Sequence, residues 1–170
     1  FGAEELTPSD LAVELIVDVM YELADARDAV ATVEVADRTI TVTDDGPGWR
    51  VRRVRGEDPL AALLGAIHLP ELAERGELAH VAALCRRFDV ETVSGDARRS
   101  ILLDRGQVVR GPSGVPAPGA PSMTRISCEP DWAWFRSDAG WPLPLPDLVG
   151  VAADRCCVRA WWHPSIRGRI

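Results

Sequence analysis

The chain has 170 residues, a formal net charge of −7, 46% apolar residues and 26% charged ones. That length suffices to bury a core, and the excess of negative charge argues against a surface that coats nucleic-acid phosphates. No apolar run reaches the roughly 18 residues a membrane span requires, and the opening FGAEEL has no signal-peptide pattern, so the expectation is a cytoplasmic protein with one domain over 1–170. Neither lysine nor asparagine occurs, so all 19 basic residues are arginine. Chemistry that needs a lysine or asparagine from this chain is therefore excluded.

Thr7-Pro8-Ser9-Asp10 has the composition of a helix start, a capping hydroxyl followed by proline and acid. The spacing predicts a helix from there to about Val30. Leu15, Ile16, Val19, Met20, Leu23 and Ala26 share one side and form the core face. Glu14, Asp18, Tyr21, Asp25 and Asp28 share another, an acidic stripe with one phenol. Thr32–Ala36 and Thr39–Thr43 alternate around Asp37-Arg38, the pattern of a β-hairpin. Asp44-Asp45-Gly46-Pro47-Gly48 follows at once, a tight turn where backbone can approach a ligand closely.

Residues 50–58 are charged and predicted as loop. Pro59–Ile67 and Pro70–Phe88 are predicted as helices, the second interrupted near Gly76. Val90–Val93 and Arg99–Leu103 are strands around the turn Ser94-Gly95-Asp96, with Val108-Val109 extending the sheet. Gly111–Ser122, rich in proline and glycine, is predicted as a flexible loop. Met123–Cys128 is a strand, Leu148–Arg155 a short helix and Cys156–Trp162 a last strand, before a polar, basic tail. Cys85, Cys128, Cys156 and Cys157 form no CxxC pair and are expected as reduced thiols. His68, His80 and His163 are scattered and suggest no metal triad. Helices and strands are segregated, which predicts an α+β two-layer sandwich.

Three patches resemble the GHKL ATPase superfamily, in particular the ATPase domains of DNA gyrase B and topoisomerase IV. Asp28-Ala29-Val30-Ala31-Thr32-Val33 is similar to the D-A-x-A-T-x-I that leads into that family's hairpin. Asp44-Asp45-Gly46-Pro47-Gly48 is similar to its D-x-G-x-G motif, and Thr124–Asp131 to its T-x-V-x-F-x-P strand. The resemblance covers about Leu11 to Trp162. It implies a Bergerat-type fold, a mixed sheet with helices on one face. By the same resemblance Asp44 would accept a hydrogen bond from an adenine amino group and Thr124 would hold the same ring edge. Gly46 and Gly48 would let the ring lie against backbone, and Ile40, Val42 and Ile126 would floor the pocket. Arg99 is a candidate for the gyrase-type arginine beside the adenine.

The chain also departs from the family. Aligning Asp28-Ala29 without a gap puts Asp25 where the family has its magnesium-binding asparagine and Tyr21 where it has the glutamate that activates water. A tyrosine is a poor base at neutral pH, since its pKa is about 10; a one-residue slip offers Glu22 instead. The phosphate-lid region reads Glu74-Arg75-Gly76-Glu77-Leu78-Ala79-His80, and one glycine with two acids makes a poor cradle for a triphosphate. The leading expectation is a degenerate gyrase-B-like domain with little or no ATP hydrolysis, in which Asp25, Asp28 and the adenine-end residues bind an adenine-like or other planar small molecule. A second is an active ATPase using ATP or ADP with Mg²⁺ on Asp25 and Glu22 or Glu14 as base. A third is a reused fold, with Tyr21 and the nearby aspartates serving other chemistry or a drug or protein partner. A dimer or protein partner fits any of the three, direct nucleic-acid binding none.

Overall fold

The computed structural model describes residues 7–23, 29–49, 60, 76–135, 144, 146–151 and 166–169. Helix α1 spans Pro8–Glu22. Thr7 caps it reciprocally: the Asp10 N–H donates to Thr7 Oγ1 (3.2 Å), and the Thr7 N–H donates back to Asp10 Oδ2 (2.9 Å). Each bond satisfies a donor that a helix start leaves open. The helix ends earlier than its periodicity predicts. Leu23 closes the last turn on Val19 and Met20, and Ala29 and Val30 are not helical, because the Val30 N–H is taken by Asp45 Oδ1 (2.6 Å). Strand pairing thus wins over helix propensity at this point.

The hairpin is formed by β1 (Ala31–Ala36) and β2 (Thr39–Asp44). Asp37 turns the chain with φ 50°, a conformation that aspartate tolerates better than most side chains. Helix α2 spans Gly76–Ala83. It is followed by β3 (Cys85–Ser94), β4 (Ala97–Asp104), β5 (Gln107–Pro116) and β6 (Met123–Pro130). A 3-10 turn at Trp132–Trp134 is capped by Asp131, and a further helical stretch covers 146–151. Strand β7 (Ile166–Arg169) closes the chain.

The sheet order is β5-β4-β3-β6-β2-β1-β7. The first six strands are antiparallel neighbours, and β7 joins β1 in parallel. The sheet is therefore mixed, as expected. Helix α1 packs on β1 and β2, and α2 packs on β3 and on α1. Between the layers lie Leu15, Ile16, Met20, Val33, Ile40, Val42, Phe88, Val90, Ile101 and Ile126, all buried. The α+β two-layer architecture is the one the residue pattern predicts.

Several boundaries differ from the sequence reading. Cys85–Phe88 is strand, not helix. Cys85 and Phe88 are both buried, and β3 pairs with β6 through a bulge between Cys85 and Arg87. Gly111–Pro116 is strand, not loop. An edge strand tolerates proline, because the side away from its partner needs no N–H, and among the described residues β5 pairs only with β4. The basic tail contains β7. The acidic stripe of α1 is not wholly solvated, since Asp18 is buried. Residues 50–59 and 61–75, the proposed strand 156–162, and Cys156, Cys157, His68 and His163 lie outside the described residues. Cys85 and Cys128 are unbridged and buried, with their sulfurs 2.7 Å apart.

Two glycines allow a test of close approach against backbone conformation. Gly48 has φ +70°, and a Cβ there would collide with the Val93 carbonyl, whereas Gly95 has φ +61° with nothing within 4 Å. Gly95→Ala should cost about 1 kcal/mol, the conformational term alone. Gly48→Ala should cost at least about twice that, because the loop and β3 must separate. Urea denaturation of the two variants measures the difference.

Candidate functional site

Side chains alternate along a strand, so β2 turns Ile40, Val42 and Asp44 toward the helices. In β6 the same face carries Thr124, Ile126 and Cys128, and in β3 it carries Phe88, Val90 and Thr92. All nine are buried. The register makes Asp44 the partner of Thr124, Thr124 the partner of Thr92, and Thr92 the partner of Arg99. One polar row therefore crosses four adjacent strands on the helix-covered face. A parallel row of Val42, Ile126, Val90 and Ile101 runs beside it.

Asp44 is 3% exposed. Its Oδ1 accepts the Gly46 N–H at 2.9 Å, and Thr124, its cross-strand partner, also favours the ionised carboxylate. Burial pushes its pKa from 3.8 up to about 6, against the lowering effect of the Gly46 and Thr124 hydrogen bonds, while the charge of Asp45 adds a smaller upward push. A carboxylate so placed is an ionisable acceptor in a nearly dry setting. Asp45 points outward and ties β2 to Val30, so the two adjacent aspartates do different work.

Thr92 is 1% exposed and joins the glycine turn to the sheet. Its oxygen accepts the Trp49 N–H at 2.9 Å, its hydroxyl donates to the Met123 carbonyl at 3.2 Å, and it lies 3.5 Å from Thr124 Oγ1. Neither Thr92 nor Trp49 was singled out from the sequence. The available signal was Thr92 itself, a polar residue on the apolar face of a strand that otherwise buries Phe88 and Val90.

The other sequence candidates fall as follows. Ile40, Val42 and Ile126 lie beneath the row, and Arg99 is half-buried at its far end. Asp44 and Arg99 are separated by three strand spacings, about 14 Å. At Gly46 the direction of a Cβ is occupied by Leu23 Cδ2 and at Gly48 by Val93 backbone, so both close approaches are made by the chain itself. Tyr21 and Glu22 belong to the last turn of α1, but their side chains lie outside the described residues, as do Asp25 and Asp28 entirely. Among the described residues there is no group of three or more His, Cys, Asp or Glu side chains suited to a metal ion, and no helix long and apolar enough to cross a membrane.

A concavity lies on the opposite face, which no described helix covers. It has a volume of about 90 Å³ and is lined by Asp89, Glu91, Ser100, Arg110, Arg125 and Ser127. Its carboxylates are engaged by arginines, Asp89 by Arg110 (3.6 Å) and Glu91 by Arg98 (3.5 Å).

No family model matches the chain, and no curated protein matches it in sequence. Solved structures do share its fold. The 43K ATPase domain of Thermus thermophilus gyrase B, in complex with an aminocoumarin, is similar with 23% identity and a TM-score of 0.64, over 78% of this chain and 36% of that one. The ATPase region of Saccharomyces cerevisiae topoisomerase II has 15% identity and a TM-score of 0.70, over 86% and 43%. The topoisomerase IV ATP-binding domain of Francisella tularensis, in complex with a small-molecule inhibitor, has 16% identity and a TM-score of 0.71, over 92% and 79%. The chain therefore has the GHKL, or Bergerat-type, fold of the gyrase B and topoisomerase ATPase domains. It spans 36% and 43% of the first two of these structures.

Two outcomes follow from this geometry. Because Asp44 titrates near 6 in the folded state and near 3.8 when unfolded, the folded state holds the extra proton between those values. Stability then falls as pH rises through that window, and the loss is complete above pH 6, on the order of 3 kcal/mol. Asp44→Asn should be more stable than wild type at pH 7.5 by up to that amount, with the advantage gone below about pH 4; urea denaturation at both pH values checks this. Thr92→Val should cost about 1–3 kcal/mol by stranding the Trp49 N–H, and Thr92→Ser should recover most of it in the same assay.

Proposed function

We propose that this chain is a gyrase-B-like binding domain that keeps the base-reading end of the fold's pocket and holds an adenine-like or other planar small molecule, with little or no ATP hydrolysis. The observation that carries the reading is Asp44, a buried carboxylate braced by Thr124 and Gly46 and elevated to a pKa of about 6. An ionised acceptor in a dry site favours a ring that brings an N–H donor, because an unmatched partner there leaves a buried charge unpaired. The buried aliphatics Ile40, Val42 and Ile126 supply a flat apolar floor, and Arg99 offers a cation about 14 Å from the carboxylate for a longer ligand.

The phosphate end supports the same reading from the sequence. The segment entering α2 has a single glycine among acids, and no lysine in this chain can meet a γ-phosphate. In the ungapped alignment on Asp28-Ala29, Tyr21 and Asp25 take the places of the fold's ATPase glutamate and asparagine, which supplies neither a strong base nor the usual magnesium ligand, whereas a one-residue slip offers Glu22 as base. A likeness in fold does not by itself assign an activity. The single-domain organisation over 1–170 belongs to this proposal as well.

Calorimetric titration with adenosine, ADP and ATP, each with and without Mg²⁺, tests it. Adenosine should bind within about tenfold of ATP, magnesium should leave the affinities unchanged, and phosphate release should stay at background. Binding should also strengthen from pH 5 to pH 7 as Asp44 ionises. A strong magnesium-dependent preference for ATP, lost in Asp25→Ala, would instead support an active ATPase using Asp25 for the metal and Glu22 as base. No binding of any of the three would move the chain to a reused fold with other ligands.

A further inference from the structure

Trp49 directly follows the glycine turn and is 4% exposed, within the core cluster. Its backbone N–H is held by Thr92 at the centre of the polar row. Gly48 fixes the preceding backbone against Val93. The indole is part of the buried core. Its Nε1–H is buried and has no hydrogen-bond partner among the described residues. A tryptophan placed for packing alone normally directs its N–H to an acceptor or to water when buried. Here an apolar side chain would fill the same volume without stranding a donor, and the chain instead keeps one at the end of the turn that begins at its buried acceptor, Asp44.

We propose that the Trp49 indole N–H is a second ligand-reading group of this pocket, one that donates to a ring nitrogen or carbonyl of the bound molecule. The inference rests on the functional reading above. It narrows the ligand class to a planar heterocycle that brings an N–H donor to Asp44 and an sp² acceptor to Trp49. Thr92, which anchors Trp49, is two strand spacings from Asp44, about 10 Å. A fused bicyclic ring reaches across much of that distance, whereas a single small ring does not. An apolar planar molecule without an acceptor would leave the donor stranded and bind less well, as would a ring that offers only donors.

The test uses the full chain with ¹⁵N-labelled indoles, the Trp49 resonance being assigned by its loss in Trp49→Phe. Adenosine and its 1-deaza, 3-deaza and 7-deaza analogues are the probes, each replacing one ring acceptor by C–H. Saturating adenosine should move the Trp49 indole proton downfield. One of the three analogues should bind wild type roughly three- to tenfold more weakly than adenosine, and that difference should vanish in Trp49→Phe. The comparison is made within each variant, so a general loss of stability in Trp49→Phe does not mimic it. If adenosine binds, Asp44→Asn abolishes binding, and the Trp49 resonance stays in place, then Trp49 is a packing residue and only this inference is overturned. If wild type binds neither adenosine nor any analogue, the functional reading fails and the Trp49 assignment goes with it.

Discussion

The contact on which the rest depends is the pairing of Asp44 with Thr124 across β2 and β6. These residues are far apart in sequence and become neighbours because β6 inserts between β2 and β3. That insertion makes β6 the central strand, joining the N-terminal hairpin to the β3–β4–β5 meander. It also aligns the polar row with the apolar row beside it. Strand register is all-or-none in its consequence: a slip by one residue sends every side chain to the opposite face. Such a slip at β6 would bury Arg125 and Ser127 and expel Thr124 and Ile126. The cost of that exchange holds the site in place.

Around this pairing the molecule keeps groups that a purely structural design would avoid. A carboxylate sits in a nearly dry layer, and its elevated pKa is a direct sign of the cost. A few residues away an indole N–H is buried without a partner among the described residues. Both lie on one short turn, Asp44 to Trp49, which is pinned at one end by the Asp45 bond to Val30 and at the other by the Trp49 bond to Thr92. Firm anchoring on either side of two such groups is what motivates the proposed binding role for this turn. The polar cleft on the opposite face is different, since its carboxylates already have arginine partners.

The parts legible in the sequence were those with a short-range cause. The hairpin around Asp37-Arg38, the glycine turn and the alternating strand beginning near Met123 all carry their pattern locally, and Asp44 and Thr124 could be named from those motifs. Long-range pairing decided what was missed. Helical periodicity continues to Val30, yet the Val30 N–H is claimed by Asp45 fifteen residues later. Cys85–Phe88 resembles the end of a helix until β6 is available to pair with it. Gly111–Pro116 carries every loop signal, but an edge strand needs donors on one side only. Thr92 acquires its role solely from its neighbours Trp49 and Thr124, and no spacing rule within the chain brings those three together.

The most direct measurement is the titration of the Asp44 carboxyl carbon by ¹³C NMR, assigned with Asp44→Asn, first alone and then with saturating adenosine. The account predicts a midpoint near 6 for the free protein, falling by at least about one unit when a ring N–H donates to the ionised group. A midpoint at or below the ordinary value for an aspartate, unchanged by ligand, would contradict it, because Asp44 would then be a solvated turn residue and not the reader of a buried ring.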